Sequence, residues 1–235
     1  MTRDTFRVLQ TVQDENLWRC QDPHPIIDKN PVPTNLQNNV TLEEYFELDL
    51  AAGEKLEYWN GNVWSMSGAS LAHNLIVINT GAEIRTQVID KGCLVFPSDM
   101  RIKVPSYLPY RYPDLTALCA QPEFERIGGV DVLLNPALIV EVLSRSSEAF
   151  YRGDKFSYYQ SIPTFQEYLL IAQHRPYVSR YWKPEKGLWL VNEFNDLSDM
   201  VRFNSVPCEL SLTAIYRGVD FERDAEKPIV RPQPF

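Results

Sequence analysis

The residues best placed to do chemistry in this sequence are two acids, Asp114 and Glu141. Glu141 is the one polar residue in the apolar run 137–143, and an ionised carboxylate is rarely buried in a strand unless it is paired or bound to a cation. Asp114 follows Pro113 at the start of a second apolar run, 115–119. If the two strands are neighbours, both carboxylates lie at one edge of a sheet, where their mutual repulsion favours a divalent cation between them.

Magnesium suits such a pair, because it takes few protein oxygens, keeps several waters and uses its remaining positions for phosphate. We therefore expect Mg²⁺ or Mn²⁺ on Asp114 and Glu141. Two structural alternatives remain open: Asp114 turns the chain after Pro113, and Glu141 forms a salt bridge with an arginine such as Arg101. The two acids together favour the metal site.

The elements that must position these acids begin with a capping box, Thr41 to Glu44, which predicts a short helix. The dipeptide Asn60-Gly61 between two apolar runs predicts a β-hairpin. Ser70 can cap a second helix that ends near Gly92. Its predicted apolar face consists of Leu71, Leu75, Ile78, Ala82 and Val88.

The remaining pattern predicts strands around one more helix. The run 137–143 is apolar on both faces, as expected of a central strand. A helix capped by Ser144 or Ser146 is expected to end before Pro163. Further strands are predicted in 93–96, 100–104, 115–119, 167–172, 177–182 and 188–191, and a last helical turn in 211–216. The fold class is therefore α/β or α+β, built around one mixed sheet.

Length and composition favour one domain in 235 residues. Residues 1–39 are rich in Pro and Asn and are predicted to be an extended arm, residues 40–221 the domain, and residues 222–235 a tail. The net charge of −8 argues against a protein that coats nucleic acid non-specifically, although it does not exclude a nuclease. With no signal peptide or membrane span in the pattern, we expect a cytoplasmic protein. The four cysteines make no CxxC pair and are interpreted as reduced thiols: Cys20, Cys93, Cys119 and Cys208.

A family resemblance rests on an ordered set of short motifs across residues 41–221. The chain resembles the Uma-type endonucleases, formerly a domain of unknown function, within the PD-(D/E)XK superfamily. This resemblance implies a restriction-endonuclease-like core with a metal site at one edge of its sheet. The matching motifs are Tyr-Pro-Asp at 112–114, Ile-Val-Glu-Val-Leu-Ser at 139–144, Gly-Asp-Lys-Phe at 153–156 with Tyr159, Ile-Pro-Thr-Phe-Gln-Glu-Tyr at 162–168, Glu57 with Asn60-Gly61, and His73-Asn74.

The resemblance also suggests roles for three further residues. The superfamily places Lys two residues after the second acid, where this chain has Leu143, and the family's lysine corresponds to Lys155. Its ammonium could polarise the attacking water or stabilise the pentavalent phosphate, or it could belong to a solvated helix face. Glu57 could supply a third metal ligand, as the family's first acid does, or be a hairpin-edge charge in water. His73 could donate to phosphate or position water, although a lone histidine on a helix is more often structural.

The sequence thus predicts a metal-dependent endonuclease that hydrolyses phosphodiester bonds in DNA. The alternative is a catalytically inactive protein of nuclease fold that binds DNA or a partner, which the acidic balance and Leu143 favour somewhat. An RNA-directed nuclease is a third, weaker alternative. A homodimer is compatible with double-strand cleavage, which needs two sites.

Overall fold

The structure is a computed structural model that describes residues 35–37, 39–52, 55–59, 61–65, 68–106, 110–127, 129–145 and 147–222. Its helices are α1 (Leu42–Ala51), α2 (Leu71–Val88), α3 (Glu148–Phe150), α4 (Phe156–Tyr159) and α5 (Leu212–Ile215), with a 3₁₀ turn at Ile89–Lys91 and a π-helical turn at Tyr151–Lys155. Its strands are β1 (Asn35–Gln37), β2 (Leu56–Trp59), β3 (Asn62–Ser65), β4 (Leu94–Pro97), β5 (Arg101–Lys103), β6 (Tyr110–Arg111), β7 (Leu115–Leu118), β8 (Phe124–Ile127), β9 (Val130–Leu133), β10 (Leu138–Leu143), β11 (Glu167–Ala172), β12 (Val178–Glu185), β13 (Leu188–Phe194), β14 (Met200–Arg202) and β15 (Glu209–Ser211).

The centre of the fold is a six-stranded mixed sheet in the order β13-β12-β11-β10-β7-β4. Strand β10 runs parallel to β11 and antiparallel to β7. Every residue of β10 and β11 is buried, because both faces of these strands are covered by core side chains. The predicted mixed sheet, its central strand at 137–143 and its α+β class are confirmed. None of the described helices has the length and apolarity needed to span a membrane.

A second, smaller sheet holds the predicted hairpin. Strands β2 and β3 pair antiparallel, and Gly61 has φ 79° at the turn between them, a left-handed conformation that glycine adopts without steric cost. Strand β1 joins β3, so Asn35–Gln37 belongs to this sheet although the sequence places it in the arm. The hairpin sheet therefore includes residues that precede the predicted boundary at Val40. The rest of the arm apart from Asn39, and residues 223–235 of the tail, lie outside the described residues.

Besides β1, five strands were not predicted from the sequence: β6, β8, β9, β14 and β15. The β8–β9 hairpin extends a four-stranded sheet of order β6-β5-β9-β8, and β14 pairs with β15. Strands β8, β14 and β15 each have exposed residues at alternate or terminal positions, β6 has only two residues, and none of the five belongs to the six-stranded sheet. Short, half-exposed strands have little apolar periodicity, which explains why they were missed.

Helix α2 packs on the sheet with a different face from the one predicted. Its buried residues are Ala72, Ile76, Thr80, Ile84 and Val88. Small residues on this side allow close packing: a Cβ added at Gly81 would lie only 3.1 Å from a methyl group of Leu115. The predicted apolar face was wrong except for Val88, because Leu71, Ile78 and Ala82 are exposed and Leu75 is half-buried.

The structure also corrects the interpretation of two cysteines, because Cys93 and Cys119 form a disulfide. Strands β4 and β7 pair antiparallel with Leu94 opposite Leu118, so the next residue outward on each strand is a cysteine. A separation of 26 residues in the sequence hides this proximity. Cys208 is a buried free thiol. Disulfides are more typical of oxidising compartments than of the cytoplasm. The cytoplasmic location stays a prediction.

Loss of the Cys93–Cys119 disulfide is expected to destabilise the fold by about 3 kcal/mol, the entropy of closing a loop of this size in the unfolded chain. Urea unfolding with and without dithiothreitol measures the effect. The matched control is the Cys93→Ala/Cys119→Ala protein, whose midpoint should be low and indifferent to the reductant. An unchanged midpoint on reduction of the wild type, together with titratable thiols at both positions before reduction, would contradict the bond.

Candidate active site

Two antiparallel strands bring Asp114 and Glu141 together, as the sequence predicts. Val140 of β10 pairs with Leu115 of β7, so the next residue along each strand is one of the two acids. Asp114 Oδ2 accepts a 2.7 Å hydrogen bond from the backbone N–H of Val142, the residue after Glu141. The two carboxylates therefore lie at one end of the β7–β10 pair.

Glu141 is held by a cation and a phenol. Its Oε1 lies 2.8 Å from Lys155 Nζ, and the same oxygen accepts a 2.7 Å hydrogen bond from the Tyr159 hydroxyl. Burial raises the pKa of Glu141 to about 7 against the opposing effect of Lys155, and the negative charge of Asp114 adds to the rise. The salt-bridge alternative for Glu141 is thus realised, but with Lys155, since Arg101 pairs with Asp49.

Lys155 lies inside the protein rather than on a solvated helix face. Its side chain is 1% exposed, and its Nζ lies 4.3 Å from the centre of the Tyr151 ring. Burial opposes its charge, but Glu141 raises the pKa of Lys155 above the ordinary value. Beyond the ion pair with Glu141, no hydrogen bond satisfies the ammonium within the described part of the chain. Apart from that ion pair, the ammonium is in contact with the Tyr151 ring rather than with a hydrogen-bond acceptor.

His73 projects from the first turn of α2 onto Asp114. Its Nε2 lies 3.1 Å from Asp114 Oδ1, and the two side chains are 22% and 16% exposed. Burial favours neutral imidazole, but the charge of Asp114 and the hydrogen bond to it raise the pKa of His73 overall. Burial acts to raise the pKa of Asp114, but the charge and hydrogen bond of His73, the backbone hydrogen bond from Val142 and the charge of Lys155 together lower it. His73 is therefore a partner of Asp114. When the imidazole is protonated, Nε2 donates to Asp114 and Nδ1 carries a second N–H.

Glu57 lies near this group without joining it. Its Oε1 accepts a 3.4 Å hydrogen bond from the backbone N–H of Tyr112, two residues before Asp114. The guanidinium of Arg111 donates to the carbonyl of Tyr58 and so fastens β2 to the same segment. The charge of Glu57 contributes to the raised pKa of Lys155. Glu57 thus faces the site from the hairpin.

The donor set fits a small, hard cation with few protein ligands. Across the described ranges, no three His, Cys, Asp or Glu side chains converge closely enough to hold a metal ion. Magnesium needs only one or two carboxylates when water and phosphate supply the other oxygens. Asp114 and Glu141 satisfy that requirement. Each oxygen of Asp114 accepts one hydrogen bond and keeps a second lone pair. The Lys155 and Tyr159 contacts of Glu141 both fall on Oε1 rather than on Oε2. Glu57 does not complete a three-residue cluster.

Two residues of the site were missed or assigned elsewhere by sequence reasoning. Tyr159 was given no role from the sequence beyond its place in a family motif; it is fully buried, and its hydroxyl donates to Glu141. Tyr151 was not considered. Both stand four residues from Lys155, so all three lie on one side of the segment 151–159. That spacing was a signal present in the sequence.

Comparison with solved structures identifies the fold. A crystal structure described as "a putative nuclease belonging to DUF820", from Anabaena variabilis, superposes with a TM-score of 0.60 at 17% identity, covering 75% of this chain and 97% of that one. This chain therefore shares the fold of that protein over the part that superposes.

The family follows from the sequence itself. Residues 42–214 match the profile of the Uma2 family, described as "Putative restriction endonuclease", and the chain belongs to that family. Two Synechocystis sp. proteins described as uncharacterized are similar. One, sll1609, is 34% identical over 165 residues, which are 70% of this chain and 93% of that protein. The other, slr1290, is 31% identical over 179 residues, 76% of this chain and 92% of that protein.

Proposed function

We propose that this protein is a metal-dependent endonuclease that hydrolyses phosphodiester bonds in DNA. The observation that carries the proposal is the group formed by Asp114, Glu141 and Lys155. The two carboxylates lie at one end of the β7–β10 pair, and the buried ammonium pairs with Glu141. Membership of a family described by restriction endonuclease function supports DNA as the substrate. The residues proposed to hold Mg²⁺ or Mn²⁺ are Asp114 and Glu141, with Glu57 as an outer contributor.

Each side chain of the site has a distinct task in this proposal. A bound divalent ion would supply charge neutralisation and an activated water. Lys155 donates N–H groups toward the phosphate oxygens, where negative charge grows in the transition state. His73 holds Asp114 and presents its second N–H to a phosphate oxygen. Tyr159 keeps the Glu141 carboxylate in one orientation through its hydrogen bond.

A second candidate function is a nucleic-acid-binding or partner-binding protein that keeps the fold without cleaving. One observation favours it: the charges of Glu141 and Asp114 are already matched within the protein, by Lys155 and by His73. A site balanced in this way can exist without a metal. The two functions differ in whether Mn²⁺ binds at these acids and whether cleavage follows.

The deciding experiment combines Mn²⁺ calorimetry with nicking of supercoiled plasmid by the wild type, Asp114→Asn and a control, Glu125→Gln. Glu125 lies in β8, where it is 36% exposed and pairs with Lys103 of β5 rather than with Asp114 or Glu141. We expect wild type and Glu125→Gln to bind Mn²⁺ and nick DNA, and Asp114→Asn to lose both. Cleavage of RNA but not DNA would change the substrate. DNA binding without Mn²⁺ binding or cleavage would establish the second function.

A further inference from the structure

The outer face of α2 carries large apolar side chains that remain exposed. Leu71 is 56% exposed, Ile78 64% and Ile89, in the following 3₁₀ turn, 48%. Ala82 is exposed beside them and Leu75 is half-buried. The helix thus has two apolar sides, of which only the side with Ile76 and Ile84 packs on the sheet. A contiguous exposed apolar surface on a protein marks an interaction site.

The spacing of these residues is that of a seam between two helices. Positions 71, 75, 78, 82, 85 and 89 follow one another at intervals of four and three, which is the repeat of paired helices. All are apolar except Arg85. We infer that this face, defined as the α2 seam, binds the α2 seam of a second copy of this chain. The two helices run antiparallel, and the two-fold axis crosses the seam at the height of residue 80, between Ile78 and Ala82.

The size of the side chains supports an antiparallel arrangement. With the axis at the height of residue 80, Ile78 of one copy lies opposite Ala82 of the other, so that a large side chain packs against a small one. Leu71 comes level with Ile89, which places apolar residues together at both ends. Leu75 comes level with Arg85, whose aliphatic stem can cover it while the guanidinium stays in water. A two-fold interface requires this kind of self-complementarity.

Charge supports the same arrangement. In a parallel pair, Arg85 of each copy would lie beside the other, and like charges repel. In the antiparallel pair the two guanidinium groups lie apart. Asp90, which is exposed, then comes to the level of Ser70 of the second copy, at the start of its helix. A carboxylate is favourable there because helix N-termini carry partial positive charge.

The expected dimer is modest in strength. One helix of 18 residues from each copy spans about 27 Å, and a contact of this extent is at the small end of specific interfaces. We therefore expect a dissociation constant in about the micromolar range. The inference does not depend on the proposed nuclease function.

Sedimentation velocity over a range of about 1 to about 100 μM, which brackets such a constant, tests the inference. The wild type is expected to pass from monomer to dimer, and Ile78→Glu to remain monomeric with an unchanged thermal midpoint. Leu190→Glu is the matched control, because Leu190 is 41% exposed on the edge strand β13, and it should dimerise like the wild type. A dimer of undiminished strength in Ile78→Glu, or a monomeric wild type throughout, would overturn the inference.

Disulfide trapping tests the direction of the helices. Leu71 and Ile89 are about 27 Å apart within one chain, so a Leu71→Cys/Ile89→Cys variant can cross-link these positions only between copies. We expect a covalent dimer from the double variant and none from Leu71→Cys alone. Cross-linking of the single variant instead would indicate parallel helices and contradict the inference. A variant truncated after Glu222 gives a further test. If the truncated chain dimerises and the full chain does not, residues 223–235 cover the α2 seam in the full chain, and the inference is contradicted.

Discussion

Lys155→Met is expected to lower the rate of DNA hydrolysis by about 10²-fold or more, which is the loss expected when one group that stabilises the transition state is removed. Mn²⁺ is expected to bind still. A cation cannot be a metal ligand, and its removal lowers the repulsion felt by a bound ion. Glu141→Gln is expected to weaken both Mn²⁺ binding and cleavage, because it removes a carboxylate oxygen from the site. Calorimetry and plasmid nicking on the same two variants separate the roles.

The burial of Lys155 sets the conditions of that experiment. Removing one partner of a buried ion pair leaves the other uncompensated, and Glu141, whose pKa burial already raises to about 7, then holds its proton more tightly. Mn²⁺ must displace that proton, so the affinity of Lys155→Met should increase with pH. The Lys155→Met/Glu141→Gln double variant leaves no unpaired charge and serves as the control for folding.

Wild-type cleavage by Lys155→Met would show that the lysine only balances the charge of Glu141. The two basic residues of β5 have partners of their own: Arg101 pairs with Asp49, and Lys103 with Glu125. In that outcome His73, which contacts Asp114, would be the next residue to replace.

The parts of the site that were predictable are those encoded in short stretches of sequence. An acid inside the apolar run 137–143 predicted a buried strand with a charge that needs a partner, and β10 has both properties. The run after Asp114 predicted the neighbouring strand, and β7 does pair with β10, with Leu115 opposite Val140 next to the two acids. Local hydrophobic pattern is sufficient here because both strands lie in the centre of the sheet.

Contacts between distant elements were not predictable in the same way. The disulfide depends on the pairing of β4 with β7, which no local pattern specifies. The orientation of α2 depends on which of two apolar sides fits the sheet, and the close approach at Gly81 decides it. The sequence suggested Arg101 as one possible partner of Glu141. The partner is Lys155 instead, because the helical segment 151–159 is oriented so that Lys155 reaches Glu141.

Glu167 shows the limit of the reasoning that identified Glu141. It too is an acid in a fully buried strand, β11, yet its charge is matched without any need for a metal. Arg180 Nε donates to Glu167 Oε1 at 2.7 Å, and the backbone N–H groups of Asn204 and Ser205 donate at 2.9 and 2.7 Å. The sequence signal is the same for both acids, and only the number of protein donors around each separates a structural carboxylate from a candidate ligand.

Arg180→Met is therefore expected to destabilise the fold by about 3 kcal/mol or more, the cost of leaving a buried carboxylate without its cation. The side chains of Arg180 and Glu167 are 9% and 1% exposed, so solvent cannot replace the lost charge. The matched control is Arg202→Met, whose pair with Glu209 is 76% and 51% exposed and should change stability by less than about 1 kcal/mol. Urea unfolding of both variants measures the difference.

The double variant Arg180→Met/Glu167→Gln distinguishes the loss of charge pairing from the loss of packing. If an uncompensated carboxylate causes the instability, the added Glu167→Gln change should restore part of the lost free energy, since a neutral amide oxygen can still accept from Asn204 and Ser205. A double variant as unstable as Arg180→Met or more so would attribute the effect to packing of the arginine side chain. In either case Mn²⁺ binding at Asp114 and Glu141 should persist in the folded fraction, because Glu167 takes no part in that site.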